Sequence, residues 1–309
     1  MGAALLTATI GLLGTPARAD DVIRGHTVDR PTDGLVIGAA LVAALGLSAI
    51  PVSTERALWT RELFGEADAA VHARFSPRAA ALSDAALAAT VAAPVAYLTG
   101  NTIEDADGDR LMLYGEALAV NLALFEGAKR LVQRPRPYLY SQLPEVRRYA
   151  AAQGKDAYQS FYSAHAATAF CAATAGAYLA ATSTRSRGAR AAAWASGFAS
   201  AAAASNLRVR AGKHFYSDIL IGGVVGMAIG YAVPALHADG RPYVPSGADL
   251  GAAAAGVIGG GLVSQLLPLE RRTGELRAGR LAWLRRANLK VGPVPVPSGA
   301  GLGIGGKLR

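Results

Sequence analysis

The chain has 309 residues, 52% of them hydrophobic and 17% charged, with a mean hydropathy of +0.26, which leans toward tightly packed or membrane helices with ample core. Its one cysteine, Cys171, excludes an intramolecular disulfide. The net charge of +9 is spread over loops with no repeated aromatic and basic face, so anionic lipid headgroups explain it more simply than nucleic acid, and no nucleic-acid partner is expected.

Residues 1–19 contain an apolar stretch, Ala3 to Leu13, and end Ala17-Arg18-Ala19, a small-x-small pattern that predicts a signal peptide or N-terminal anchor without the usual cationic start. Residues 20–83 are expected to be an N-terminal helical region, with His26 in a polar loop. Within it, Glu55 to Arg78 sets Trp59, Leu63, Phe64, Val71 and Phe75 among four arginines, the pattern of an amphipathic helix on a membrane or a packed surface helix. Six apolar stretches, at 34–50, 84–100, 111–128, 166–183, 189–206 and 218–236, read as helices by length and alanine content. Most lie at the short edge of what crosses a bilayer, so spanning is possible and not compelled.

Gly222, Gly226 and Gly230 give the last stretch a small-residue face for close helix contact. Between the second and third, Asn101 to Arg110 holds four carboxylates, but Gly108 misses the sixth position of a calcium loop, so a solvated turn is expected. Residues 237–309 form a basic, Gly- and Pro-rich extension. In it, 251–267 fits one more helix, 270–290 an amphipathic surface segment, and the tail from Gly292 an extended stretch with no core.

Three pieces carry chemistry. Lys129 is separated by six residues from Arg136-Pro137, Phe161-Tyr-Ser163-Ala164-His165 opens the fourth stretch, and Arg208 stands five residues before His214, itself three before Asp218. A core gathers cations such as Lys129, Arg136 and Arg208 only around an anion with several oxygens, most simply a phosphoryl group. Ser163 and Ala164 precede a helix, where unpaired N–H groups favour negative charge. His214 and Asp218 at i and i+4 share a face if helical, so the carboxylate takes one ring proton and the other nitrogen is open to attack phosphorus. His165 is placed to protonate the leaving oxygen and activate water. A metal held by His165, His214 and Asp218 is disfavoured by the five surrounding cations, and a Ser163–His165–Asp218 triad fails because serine and histidine two apart at a helix start do not face each other.

The pattern resembles the type 2 phosphatidic acid phosphatase family over roughly residues 84–236, whose signature is Lys-x6-Arg-Pro, Pro-Ser-Gly-His and Ser-Arg-x5-His-x3-Asp. The resemblance implies an all-α bundle of about six helices, membrane-embedded or membrane-facing. It implies a metal-independent phosphatase acting through a phosphohistidine on a phosphorylated lipid or other phosphate ester, with no cofactor. His214 would be the nucleophile, Asp218 its orienting partner and His165 the general acid, with Lys129, Arg136, Ser163, Ala164 and Arg208 the phosphate cradle. Tyr162, Ala164 and Leu207 depart from the family's proline, glycine and serine, and Leu207 deletes a hydroxyl. Vanadium haloperoxidases resemble the same site with vanadate bound at the position of His214. A catalytically weak lipid-binding protein is the alternative outside enzymes.

Arg185, Arg187 and Arg190 mark a turn at the end opposite the motifs, so spanning helices would place that turn inside and the site on the non-cytoplasmic side. The arginines of Glu55 to Arg78 oppose this orientation if the N-terminal signal is cleaved. A periplasmic bundle would remove the conflict.

Overall fold

The computed structural model describes residues 25–54, 63–72, 74–100, 106–269, 290–296 and 299–305. Each of the six apolar stretches forms a helix: α1 (Arg30–Ala49), α3 (Pro77–Gly100), α4 (Ala106–Val132), α6 (Ala164–Ser183), α7 (Arg187–Arg210) and α8 (Tyr216–Leu236). Two short helices, α2 (Glu66–Ala69) and α5 (Pro144–Ala152), lie in the connections. The helix expected at 251–267 is α9 (Gly247–Leu266), and it packs along α7, so the bundle continues past Leu236. The bundle is all-α, as expected.

Helix α6 is the axis of the bundle. Most of its length is buried, and it packs against α3, α4, α7 and α8, while α1 lies on α4 and α9 on α7. Alanine makes this possible, because a helix covered by small side chains lets neighbours approach on every side. The glycines expected to form a contact face do so: a Cβ on Gly222, Gly226 or Gly230 would collide with the backbone of Ser163, Ala167 or Cys171 on or beside α6. Gly256 and Gly260 of α9 meet the backbone of α7 at Ala195 and Ala199 in the same way. Bulk comes from aromatic residues: Tyr178 meets Tyr231 and Tyr243 edge-on, and Phe198 lies against Trp194 and Phe170.

Five of the helices, α1, α3, α4, α8 and α9, are long and apolar enough to cross a membrane. Their outward residues include Leu35, Val42 and Leu45 on α1, Leu220 and Val224 on α8, and Ile258, Leu262 and Val263 on α9, all at least half exposed.

Several local expectations change. The described part of Glu55 to Arg78 is a turn, the four-residue α2 and the start of α3, because Pro77 sits in the first turn of the next helix; residues 55–62 and 73 lie outside the described residues. His26 is half-buried in an isolated bridge to Ala238, where a solvated loop was expected. The second half of the expected carboxylate-rich turn is helical, since α4 already runs from Ala106; residues 101–105 lie outside the described residues, as do 1–24 with the predicted signal and 270–289 with the amphipathic segment. In the tail, β1 (Lys290–Val296) pairs antiparallel with β2 (Gly299–Gly305) to form a hairpin.

Candidate active site

All three motifs meet at one end of the bundle, where α4, α7 and the loop before α6 end and α6 and α8 begin. The centre is His214, buried just before α8. Its Nε2 lies 3.1 Å from Nη1 of Arg136 and its Nδ1 lies 2.7 Å from the carbonyl oxygen of Ser160. A guanidinium can only donate and a carbonyl only accept, so Nδ1 carries the proton and Nε2 is a lone pair facing a cation. Burial, then Arg136, Arg208 and His165, hold the ring well below the ordinary imidazole pKa and keep it neutral.

Arg136 is fixed in three further directions, donating to the Lys213 carbonyl (2.9 Å), the Asp156 carbonyl (2.7 Å) and the Asp156 carboxylate (2.7 Å). Lys213 stacks over the rings of Tyr138 and Tyr149, and burial followed by Arg136 pushes its pKa down to about 8. Lys129, in the last turn of α4, pairs with Glu126 at 3.0 Å within electrostatic range of Arg136 and Asp156. Arg208 reaches the same space from the last turn of α7; it is buried, and its Nε has no hydrogen-bond partner among the described residues.

His165 stands in the first turn of α6, half-buried. Its Nε2 lies 2.7 Å from Oδ1 of Asp84 on α3, and the same oxygen accepts from Nη1 of Arg208 at 3.2 Å. Asp84 is 62% exposed and therefore stands at the mouth of the site. Burial and Arg208 lower the pKa of His165, with Asp84 opposing them.

Two assigned roles change. Asp218 does not take the ring proton directly, because its nearest oxygen is 3.6 Å from Nδ1 of His214 and the Ser160 carbonyl is closer. His214 precedes the helix, so the i, i+4 face does not form there. Asp218 instead accepts from the N–H of Phe215 (2.9 Å) at the start of α8, from Ser160 Oγ (2.5 Å) and from Arg134 (2.6 Å). It therefore orients His214 through Ser160, holding by its hydroxyl the residue whose carbonyl receives the ring proton. Ser163 likewise serves structure: its Oγ caps α6 by accepting from Ala166 N–H, and its own N–H donates to the Asp218 carbonyl. Ala164 remains at the first turn, where its N–H has no intrahelical acceptor.

Sequence reasoning missed Asp84, Ser160, Asp156, Arg134 and Asp68. Arg134, almost fully buried, bonds Ser217 and Asp218 through Nη1 and Asp68 through Nη2 (3.0 Å), and lies 3.9 Å over the ring of Phe215. Only Arg134 had a visible signal, as the first arginine of Arg-Pro-Arg-Pro. Leu207, where a hydroxyl was missing, packs against Ala79 and Ala211 and turns that position to apolar contact.

The profile of the family described as PAP2 superfamily matches residues 110–241, a stretch that runs from α4 past α8 and contains every motif above. That domain belongs to the PAP2 superfamily. No curated protein and no solved structure matches the chain. Asp84, on α3, lies outside the PAP2 match, so the carboxylate at the mouth is contributed by the N-terminal part of this chain.

Proposed function

We propose that this PAP2-superfamily chain is a membrane-embedded phosphatase that hydrolyses a phosphate monoester or pyrophosphate on a lipid through a phosphohistidine at His214, with its site on the non-cytoplasmic side. The observation that carries the reading is the tautomer of His214: an unprotonated Nε2, held by the Ser160 carbonyl behind it, faces Arg136 among the cations of one cluster. Nε2 attacks phosphorus in line, and its bond to Arg136 gives way to bonds from Arg136, Arg208 and Lys129 to the equatorial oxygens. The Ala164 N–H adds a donor at the helix start. With the phosphoryl anion and Asp84 beside it, His165 holds a second proton; it gives that proton to the departing oxygen, then takes one from the water that cleaves the phosphohistidine, so the bound enzyme returns to its starting protonation. In the resting site Asp84 occupies Arg208 and His165, and an entering phosphoryl group displaces it from Arg208. A lipid is supported by an apolar groove of about 390 Å³ lined by Phe64, Phe170, Tyr216, Ile219, Leu220 and Val257, beginning two residues after His214.

The test is phosphate release from phosphatidic acid, an isoprenoid pyrophosphate and p-nitrophenyl phosphate, in EDTA, by native protein and His214→Ala. EDTA-resistant release, fastest on a lipid and reduced about a thousandfold or more in the variant, is expected. Release that disappears with EDTA would overturn the metal-free chemistry. No release, with halide oxidation after vanadate loading, would turn the reading to a haloperoxidase; lipid binding equal in both proteins without turnover would make it a binding protein.

A further inference from the structure

At the end of the bundle away from the motifs, three helices bring together Asp33 of α1, Glu116 of α4 and His237, the residue after α8. Their ligand atoms all lie within 4.8 Å of one another. His237 Nε2 is 3.3 Å from Asp33 Oδ1 and 3.9 Å from Glu116 Oε2. Both carboxylates are buried, at 5% and 6% exposure, yet among the described residues Asp33 Oδ2 and Glu116 Oε2 have no hydrogen-bond partner. Buried carboxylate oxygens are costly to leave unserved, so two in one cluster call for a ligand.

The histidine indicates which kind. His237 Nδ1 lies 2.8 Å from the carbonyl of Val233, an acceptor, so Nδ1 carries the proton and Nε2 faces the two carboxylates. A backbone carbonyl holding the far nitrogen is the usual support of a metal-bound imidazole. A second proton, on Nε2, is the competing explanation. It would form a charge-assisted bond, normally about 2.7–2.9 Å, where the structure has 3.3 Å, and it would still leave Asp33 Oδ2 without a donor. Donors bound at about 2.1 Å around one ion stand roughly 3.4 Å apart, and His237 Nε2 stands 3.3 and 3.9 Å from its two carboxylate oxygens.

We infer that Asp33, Glu116 and His237 form a binding site for one divalent metal ion of the zinc or manganese class, completed by water. Two carboxylates and one imidazole suit such borderline ions. The ion clamps the N-terminal segment to the end of α8, where Thr27 N–H already donates to the His237 carbonyl and Asp239 N–H to that of Gly25. The 21 residues of α8 put this site about 30 Å from His214, so it holds structure and takes no part in phosphoryl transfer.

The test uses tag-free full-length protein in detergent, stripped with EDTA, reloaded with Zn²⁺ or Mn²⁺, desalted and analysed for metal by mass spectrometry, with thermal midpoints in parallel. One ion per chain and a raised midpoint are expected, with affinity at least tenfold weaker in the near-isosteric Asp33→Asn and Glu116→Gln variants and in His237→Ala. His214→Ala should keep the full ion count, which separates this site from the phosphatase reading. No retained ion in the native chain, or an equal count in all three ligand variants, would overturn the inference.

Discussion

His214 has a tautomer set by a backbone carbonyl and a neutral state set by burial beside guanidinium groups, so in the proposed reaction it would need no alkaline pH to attack. Lys213 is the group that brings pH dependence on the basic side. Its pKa of about 8 means that it is a cation at neutral pH and loses its charge as pH rises through that value. KM for an anionic substrate should therefore climb severalfold between pH 7 and 9 while kcat changes less. Lys213→Arg, whose guanidinium stays charged, should flatten the rise; a KM that climbs equally in the variant would remove Lys213 from substrate binding. Behind these groups, Arg134 bridges Asp68 and Asp218 in full burial, and removing one partner of such a network costs about 3–5 kcal/mol. That His165, His214 and Arg136 belong to one site was legible as residue types at fixed spacings. Asp84 and Ser160 were not, since they lie 81 and 54 residues from the histidines they touch and form no local pattern.

Among the helices, the pairing of α6 with α8 sets the geometry of the candidate site, because α6 carries His165 in its first turn and α8 begins just after His214. Glycine at 226 lets the two backbones meet where any Cβ would strike the Ala167 carbonyl. Gly226→Leu must push them apart, and overpacking of this kind costs about 1–3 kcal/mol or more. A lower thermal midpoint and an activity loss of at least tenfold are expected, whereas Gly251→Leu, with nothing within 4 Å of its Cβ, should leave both unchanged. Equal behaviour of the two variants would show that the close approach does not position the site. The spacing of these glycines is legible in the amino-acid sequence; that their partner is α6 is not, because small-residue faces are alike on every helix.

For the molecule as a whole, an alanine-rich helix at the centre and leucine-bearing helices around it invert the order of a water-soluble bundle, which hides its largest apolar side chains. Leucine and isoleucine pointing outward on α1, α8 and α9 suit lipid, and small residues inside suit helix association without a hydrophobic driving force. The chain should thus stay with the membrane through a carbonate wash and need detergent for extraction. Release by carbonate would favour a peripheral bundle.

The sequence by itself determined the long helices, since apolar runs and alanine content fix local structure, and it determined the superfamily of the 110–241 domain, since three spaced motifs need no contact map to be read. Tertiary structure alone decided that Ser160 stands between Asp218 and His214, that Asp84 guards His165 and Arg208, and that Asp33, Glu116 and His237 converge at the far end. The physical reason is range: helix formation and motif spacing act over a few residues, whereas these contacts join segments that only the packing of α6 against its neighbours brings within a hydrogen bond.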